Sequence, residues 1–191
     1  MDDAGPRPRR TTERGTTARG LAVDGKTVVR YVDLLTDLML VRRLQPFQRN
    51  VGKRLVKAPK VFVRDSGIVH ALLNIRDQES LLGHPVVGAS WEGFVIENLL
   101  AAVPRNTVPF FYRTSAGAEV DLLLEIPGHG LWAVEIKRGL SARPEKGFFI
   151  ACDDVKAEKR FLVNAGAERY PVSEGVEAIS LKELASMLVA L

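Results

Sequence analysis

Residues 118–139, AEVDLLLEIPGHGLWAVEIKRG, decide the fold of this 191-residue chain. Polar and apolar residues alternate on both sides of a glycine-rich turn at residues 127–130, and this pattern predicts a β-hairpin. The segments PFFYRT and KRFLVNAG predict further strands before and after the hairpin. Ser180, with Glu183 three residues later, predicts a capping box that opens a C-terminal helix. A helix, a group of strands and flanking helices indicate a layered α/β domain.

The charged residues of the hairpin form a candidate metal site. Side chains two apart on a strand share a face, so Glu135 and Lys137 are expected to point the same way. On the other strand, Asp121 is expected on the face of Leu123, opposite Leu122. Two converging carboxylates suit Mg²⁺ or Mn²⁺, and a neighbouring lysine would orient the nucleophile or neutralise developing charge. A hairpin with one solvated face accounts for the same charges without any site.

Residues 88–103, GASWEGFVIENLLAAV, predict a helix that carries a third acid. At about 100° per residue, Glu92 lies on the apolar stripe of this helix, whereas Glu97 lies on the solvated side. A buried acid needs a partner, so Glu92 is a candidate third member of the metal site. A buried salt bridge to Arg113 or Lys137 is the structural alternative.

Residues 42–64 contain eight basic residues and no acidic ones, although the net charge of the chain is only +4. This concentration favours a polyanion such as DNA, but a solvated basic surface would have the same composition. A short helix over 16–25, a second over 27–41 and two basic strands after it predict a winged helix, whose second helix would enter a major groove. The candidate DNA contacts here are Lys26, Arg30, Arg42, Arg43, Arg49, Lys53, Arg54 and Lys57.

Three other features suggest chemistry that we do not expect. Residues 20–27, GLAVDGKT, match the phosphate-loop pattern, but the preceding residues are too polar for the buried strand that such a loop requires. We therefore expect no nucleotide-binding site. His70, His84 and His129 lack the spacing of a zinc site. Cys152 has no base nearby in the sequence and is expected to be a packed side chain.

The composition, with 46 % hydrophobic and 26 % charged residues, is that of a globular protein. A single cysteine excludes an intrachain disulfide framework and fits the reducing cytoplasm. No apolar run approaches the roughly 20 residues of a membrane span, and the N-terminus has no apolar segment of a secretory signal. We divide the chain into a disordered or leader segment (1–20), a winged-helix-like basic segment (21–75) and a second domain (76–191).

The candidate site residues resemble those of the PD-(D/E)XK nuclease superfamily, and the helix-borne Glu92 is most similar to the corresponding acid of archaeal Holliday-junction resolvases. Residues from about 27 to 191 are also similar to the C-terminal region of prokaryotic AAA+-type ATPases, a winged helix followed by a nuclease-like domain of unknown function. This second resemblance rests on the strings TVVRYVDLL, KAPKVFVRDSGIVHALL, GASWEGFVIENLL, FFYRTSAGAEVDLLLE and VEIKRG. Two departures are Val120, where the superfamily name has proline, and the missing ATPase module.

The resemblance implies a restriction-endonuclease-like central mixed sheet flanked by helices and preceded by the winged-helix-like segment. It makes Asp121 and Glu135 ligands of Mg²⁺ or Mn²⁺, Glu92 an auxiliary acid and ligand, Lys137 the catalytic lysine and Arg113 a phosphate contact. The expected function is metal-dependent hydrolysis of phosphodiester bonds in DNA. The alternative is a non-catalytic module that binds DNA or a protein and serves an ATPase. A homodimer and an ATPase partner are compatible with both functions.

Overall fold

The computed structural model describes residues 24–48, 53–173 and 175–191. The predicted leader, most of the helix expected over 16–25, the first half of the phosphate-loop match and the candidate DNA contact Arg49 lie outside the described residues.

The described residues form six helices and eight strands. The helices are α1 (Gly25–Asp37), α2 (Ser66–Leu72), α3 (Gln78–Gly83), α4 (Val87–Ala102), α5 (Lys146–Val155) and α6 (Leu181–Val189). The strands are β1 (Val41–Pro46), β2 (Lys60–Val63), β3 (Val108–Arg113), β4 (Glu119–Ile126), β5 (Gly130–Ile136), β6 (Lys159–Asn164), β7 (Tyr170–Ser173) and β8 (Val176–Ser180). Within these ranges, no helix combines the length and apolar character needed to cross a membrane.

The described strands belong to one mixed sheet in the order β2-β1-β3-β4-β5-β6-β8-β7. β3, β4 and β5 form an antiparallel meander that contains the predicted hairpin. β6 lies parallel to β5, and the connection between two parallel neighbours needs a crossover, which α5 provides. β8 continues the parallel part of the sheet, and β7 pairs with β8 in the antiparallel sense. The predicted α/β class is therefore confirmed.

Helices cover both faces of the central strands. On one face α4 and α6 pack against the sheet, with Leu99 and Leu184 in the same buried cluster as Trp132. On the other face α5 buries Phe148 in a second cluster with Leu162. Because both faces are covered, β5 is buried along nearly its whole length instead of alternating between core and solvent.

The two predicted basic strands are present, but they extend the main sheet. β1 pairs with β2 in the antiparallel sense and with β3 in parallel, so that β2 forms one edge of the sheet. The β1–β2 hairpin therefore lies next to β3, in the same sheet as the strands that carry Asp121 and Glu135.

The N-cap predicted for the last helix is confirmed. The Oγ atom of Ser180 accepts a hydrogen bond from the backbone N–H of Glu183 at 3.2 Å. The Glu183 carboxylate lies 3.3 Å from a guanidinium nitrogen of Arg169. α6 is thereby fixed in position after β8, where it packs against the same face of the sheet as α4.

Candidate functional site

A cleft of about 600 Å³ opens at the end of the sheet where β4 begins and β5 ends. Its walls come from α4, β2, the β3–β4 turn and the start of α5. The charged side chains along it are Lys60, Glu92, Arg113, Glu119, Asp121, Glu135, Lys137 and Glu145. The structure thus brings together the three acids and the lysine selected from the sequence, together with Arg113.

A β-bulge in β4 determines the position of Asp121. The register between β3 and β4 shifts so that Asp121 and Leu122 both lie opposite a single residue of β3. A bulge interrupts the strict alternation of faces, and Val120 and Leu123 consequently pack in the same buried cluster. The prediction that Asp121 shares a face with Leu123 and opposes Leu122 is therefore wrong. Asp121 lies on the side of Leu122, where α4 covers the sheet.

Asp121 connects three strands of the sheet. One carboxylate oxygen, Oδ2, accepts the backbone N–H of Ile136 in β5 at 3.0 Å. The other, Oδ1, lies 3.2 Å from Nζ of Lys60 in β2. The carboxylate is therefore held from two sides at the floor of the cleft.

Glu135 and Lys137 lie on the same side of β5, as predicted, with Nζ of Lys137 2.8 Å from Oε1 of Glu135. Burial raises the pKa of Glu135 to about 8, and the nearby Asp121 adds to this increase while Lys137 opposes it. Burial alone would lower the pKa of Lys137, but the carboxylates of Glu135, Asp121 and Glu145 together raise it. Lys137 is therefore a charged group at neutral pH. Its ammonium only partly offsets the increase in the pKa of Glu135 that burial and Asp121 cause.

Lys60, from β2, is the cation that contacts the other acids of the cleft. Its Nζ lies 2.9 Å from Glu92, 3.2 Å from Glu119 and 3.2 Å from Asp121, and only 11 % of its side chain is exposed. Burial alone would lower the pKa of Lys60, but the three carboxylates raise it well above its ordinary value. The pKa of Glu92 is also raised, first by burial and then by Asp121.

The salt bridge considered as the structural alternative for Glu92 is present, but its partner is neither Arg113 nor Lys137. Lys60 is the partner of Glu92, whereas Nε of Arg113 lies 3.2 Å from Glu119. The physical reason lies in the sheet order, because the edge strand β2 passes close to α4.

Glu97, the second acid of α4, was predicted to lie on the solvated side of the helix, and this prediction is wrong. Its carboxylate accepts hydrogen bonds from Arg42 in β1, including one from Nη2 at 3.0 Å, and from Nε of Arg64 at 2.9 Å. Only 13 % of its side chain is exposed. The β1–β2 hairpin packs against a second side of α4, and the hydrogen bonds of Glu97 connect the hairpin to the helix.

The acids suit a divalent metal ion in their donor chemistry. Carboxylate oxygens are the ligands that Mg²⁺ prefers. Burial raises the pKa of Glu135, and repulsion by Asp121 raises it further. Across the described ranges, however, no three acid, histidine or cysteine side chains are grouped closely enough to hold a metal ion. Asp121 and Glu135 supply oxygen donors of the right chemistry, and the Lys60 ammonium already contacts Asp121 as well as Glu92.

The basic residues predicted to contact DNA divide into two groups. Four have acidic partners within the described chain: Arg42, Arg43, Lys53 and Arg113. Four others are exposed and form no ion pair with another described residue: Lys26, Arg30, Arg54 and Lys57. The backbone carbonyl of Arg54 accepts the N–H of Ser115 at 2.9 Å, which places Arg54 beside the turn that borders the cleft. The positive charge of residues 42–64 is thus partly balanced by acidic residues from other parts of the chain.

The sequence-based selection missed three charged residues that line the cleft: Lys60, Glu119 and Glu145. Lys60 was counted only as part of the basic stretch, and no local pattern distinguishes it from its neighbours. Glu119 lies two positions before Asp121 and has the same partner, Lys60. The Glu145 carboxylate lies 3.5 Å from Nζ of Lys137.

The features set aside in the sequence have structural roles where they are described. Asp24 caps α1 by accepting the backbone N–H of Thr27 at 2.8 Å, and Gly25 begins the helix. Cys152 is completely buried, as predicted, and burial raises the pKa of its thiol to about 12. His70 contacts Ser90, with Nε2 and Oγ 2.6 Å apart.

Comparison with known proteins gives matches to two family models. The model described as domain of unknown function DUF4143 matches residues 87–184, and that of domain of unknown function DUF8612 matches residues 9–79. Two uncharacterised proteins, from Mycobacterium bovis and Mycobacterium tuberculosis, are each 38 % identical to the chain over 167 residues. These alignments cover 87 % of this chain and 37 % of each relative, so the chain spans little more than a third of their length.

No solved structure gives a significant match. The DUF4143 match covers about half of the chain and runs from α4 to the first turn of α6. It includes the cleft acids Glu92, Asp121 and Glu135 and the adjoining Lys137. The chain therefore belongs to the family described as domain of unknown function DUF4143.

Proposed function

We propose that this chain contains a metal-dependent nuclease-type domain that hydrolyses phosphodiester bonds in DNA. The observation that carries the proposal is the convergence of Glu92, Asp121, Glu135 and Lys137 on one cleft, although they come from three different elements. Acidic side chains beside a charged lysine are the groups that metal-assisted phosphodiester hydrolysis requires.

The order of elements around the site agrees with this proposal. α4 is followed by the antiparallel meander β3–β4–β5, the crossover helix α5 and the parallel strand β6. Asp121 lies on the middle strand of the meander, and Glu135 lies on the next strand. This is the arrangement implied by the resemblance to the PD-(D/E)XK superfamily, and it supports a restriction-endonuclease-like core.

Each residue of the cleft has a role in such a reaction. Asp121 and Glu135 would hold Mg²⁺ or Mn²⁺, which when bound would supply Lewis acidity toward a phosphate oxygen. Lys137, charged and 2.8 Å from Glu135, would stabilise the negative charge that develops on the phosphate in the transition state. The exposed Arg54 and Arg138 are suited to contact backbone phosphates, because Arg54 lies beside the β3–β4 turn and Arg138 follows Lys137 in the chain.

A non-cleaving module that binds DNA or a protein partner is the second candidate. One specific observation favours it: Lys60 already contacts Glu92, Glu119 and Asp121, as in a structural ion-pair network. The similarity to the C-terminal region of AAA+-type ATPases, together with relatives of more than twice this length, supports an ATPase as the partner.

Cleavage assays separate the two functions. Purified protein with Mg²⁺ or Mn²⁺ is incubated with supercoiled plasmid and with branched DNA, and Asp121→Asn and Glu135→Gln are compared with the exposed control Glu168→Gln. The nuclease function predicts nicking by the wild type and the control, loss of nicking in both site variants, and retained DNA binding in a gel-shift assay. Nicking that persists in both site variants would disprove the site assignment. Salt-sensitive binding without cleavage would favour the non-cleaving module.

A further inference from the structure

We propose that Lys60 is a resident cation that competes with divalent metal for the acids of the cleft, so that the β1–β2 hairpin keeps the site closed to metal. The inference rests on the proposed function, because it concerns the regulation of the same metal site.

The position of the Lys60 ammonium carries the first step. Its Nζ lies between 2.9 and 3.2 Å from one oxygen each of Glu92, Glu119 and Asp121. The Phe111 ring also lies near this ammonium, with its centroid 5.5 Å away. An ammonium that lies among three carboxylates takes up the oxygen atoms that a metal ion would need. A dication bound through Asp121 would therefore meet both the charge and the volume of this group.

The origin of Lys60 carries the second step. Lys60 lies in the segment that matches DUF8612, whereas the acids that it contacts lie in the segment that matches DUF4143. One family segment thus supplies the counter-charge for the acids of the other. A movement between the two segments would change the charge of the cleft without altering the acids themselves.

The hairpin is built so that Lys60 can withdraw. Among the described strands β2 pairs with β1 alone and forms the edge, so its displacement leaves the central strands of the sheet intact. Its contacts with α4 include the packing of Phe62 against Gly93, and Glu97 of α4 pairs with Arg42 and Arg64 of the hairpin. A lysine stem is also long and flexible, so the side chain alone can leave while the strand stays.

Metal affinity tests the competition directly. Wild-type protein, Lys60→Met and the exposed control Lys182→Met are titrated with Mn²⁺ by calorimetry, without DNA. We expect Lys60→Met to bind Mn²⁺ on the order of tenfold more tightly than the wild type, because a like charge has been removed from the site. Lys182→Met should match the wild type. Adding Asp121→Asn to Lys60→Met should abolish the gain.

Unchanged or weaker Mn²⁺ binding in Lys60→Met, or no binding in any variant, would overturn the inference. If Lys60→Met does not fold without metal, Lys60→Gln is measured in its place. If neither folds, recovery of circular dichroism on addition of Mn²⁺ supports the competition, and failure to recover contradicts it.

Because cleavage is not the measured quantity, the two proposals can fail separately. Tighter metal binding without DNA cleavage refutes only the nuclease function. Cleavage by wild type with no gain in Mn²⁺ affinity in Lys60→Met refutes only the competition.

Discussion

Replacing Glu97 by glutamine should loosen the β1–β2 hairpin from α4 and lower the stability of the whole protein. Glu97 accepts hydrogen bonds from two arginines, Arg42 and Arg64, and is 13 % exposed. Hydrogen bonds to charged groups contribute about 1.5–3 kcal/mol each when buried. The arginines are about a quarter and a third exposed, so solvent screening reduces this figure. We expect a loss of about 2 kcal/mol in the free energy of unfolding, since glutamine keeps some of these bonds.

Equilibrium urea unfolding, followed by tryptophan fluorescence, measures this loss. A change of about 2 kcal/mol corresponds to a fall in Tm of about 4–8 °C for a chain of this size. Glu168→Gln is the matched control, because Glu168 is exposed and forms no ion pair with another described residue, and its change should stay within about 0.5 kcal/mol. If Glu97→Gln is no more destabilising than this control, Glu97 does not hold the hairpin on α4, and the reasoning is refuted.

Two further predictions concern the acids and glycines around the cleft. Because burial raises the pKa of Glu135 from 4.5 to about 8, the folded protein retains a proton that the unfolded chain releases. The free energy of unfolding should therefore fall as the pH rises from about 5 to about 8, and urea titrations of Glu135→Gln should show a smaller fall; an equal fall would contradict the assignment. Gly147→Ala would place a Cβ 2.7 Å from the carbonyl oxygen of Gly117 and should cost about 1–3 kcal/mol in urea unfolding. Gly88→Ala, which meets open space on α4, should instead stabilise by about 0.5–1 kcal/mol, and equal effects of the two substitutions would refute the packing argument.

Several of the basic residues already have acidic partners, and this affects which of them can contact DNA. The sequence shows an uninterrupted basic stretch, but Arg42 and Arg64 hold α4, Lys53 pairs with Asp154, and Lys60 lies among the acids. A phosphate backbone would have to compete with these partners. The exposed bases beside the cleft, such as Arg54, are therefore better candidates for direct phosphate contacts.

The sequence by itself determined the elements that carry the candidate site. The apolar pattern of residues 88–103 predicted α4, and the alternation around residues 127–130 predicted the β4–β5 hairpin, because both depend on the spacing of neighbours along the chain. The two-residue period of β5 correctly put Glu135 and Lys137 on one side. The apolar stripe of α4 correctly predicted that Glu92 faces a partner.

Only the tertiary structure decided which partners these side chains meet. The bulge at Asp121 depends on the register with β3, and the contact between Lys60 and Glu92 depends on the sheet order that brings an edge strand to α4. Glu97 is buried for the same reason. A periodicity describes one helix or one strand, whereas the charge balance of the cleft is set by elements that are distant in the chain. The sequence could therefore identify the acids, but only the fold showed that a lysine already lies among them.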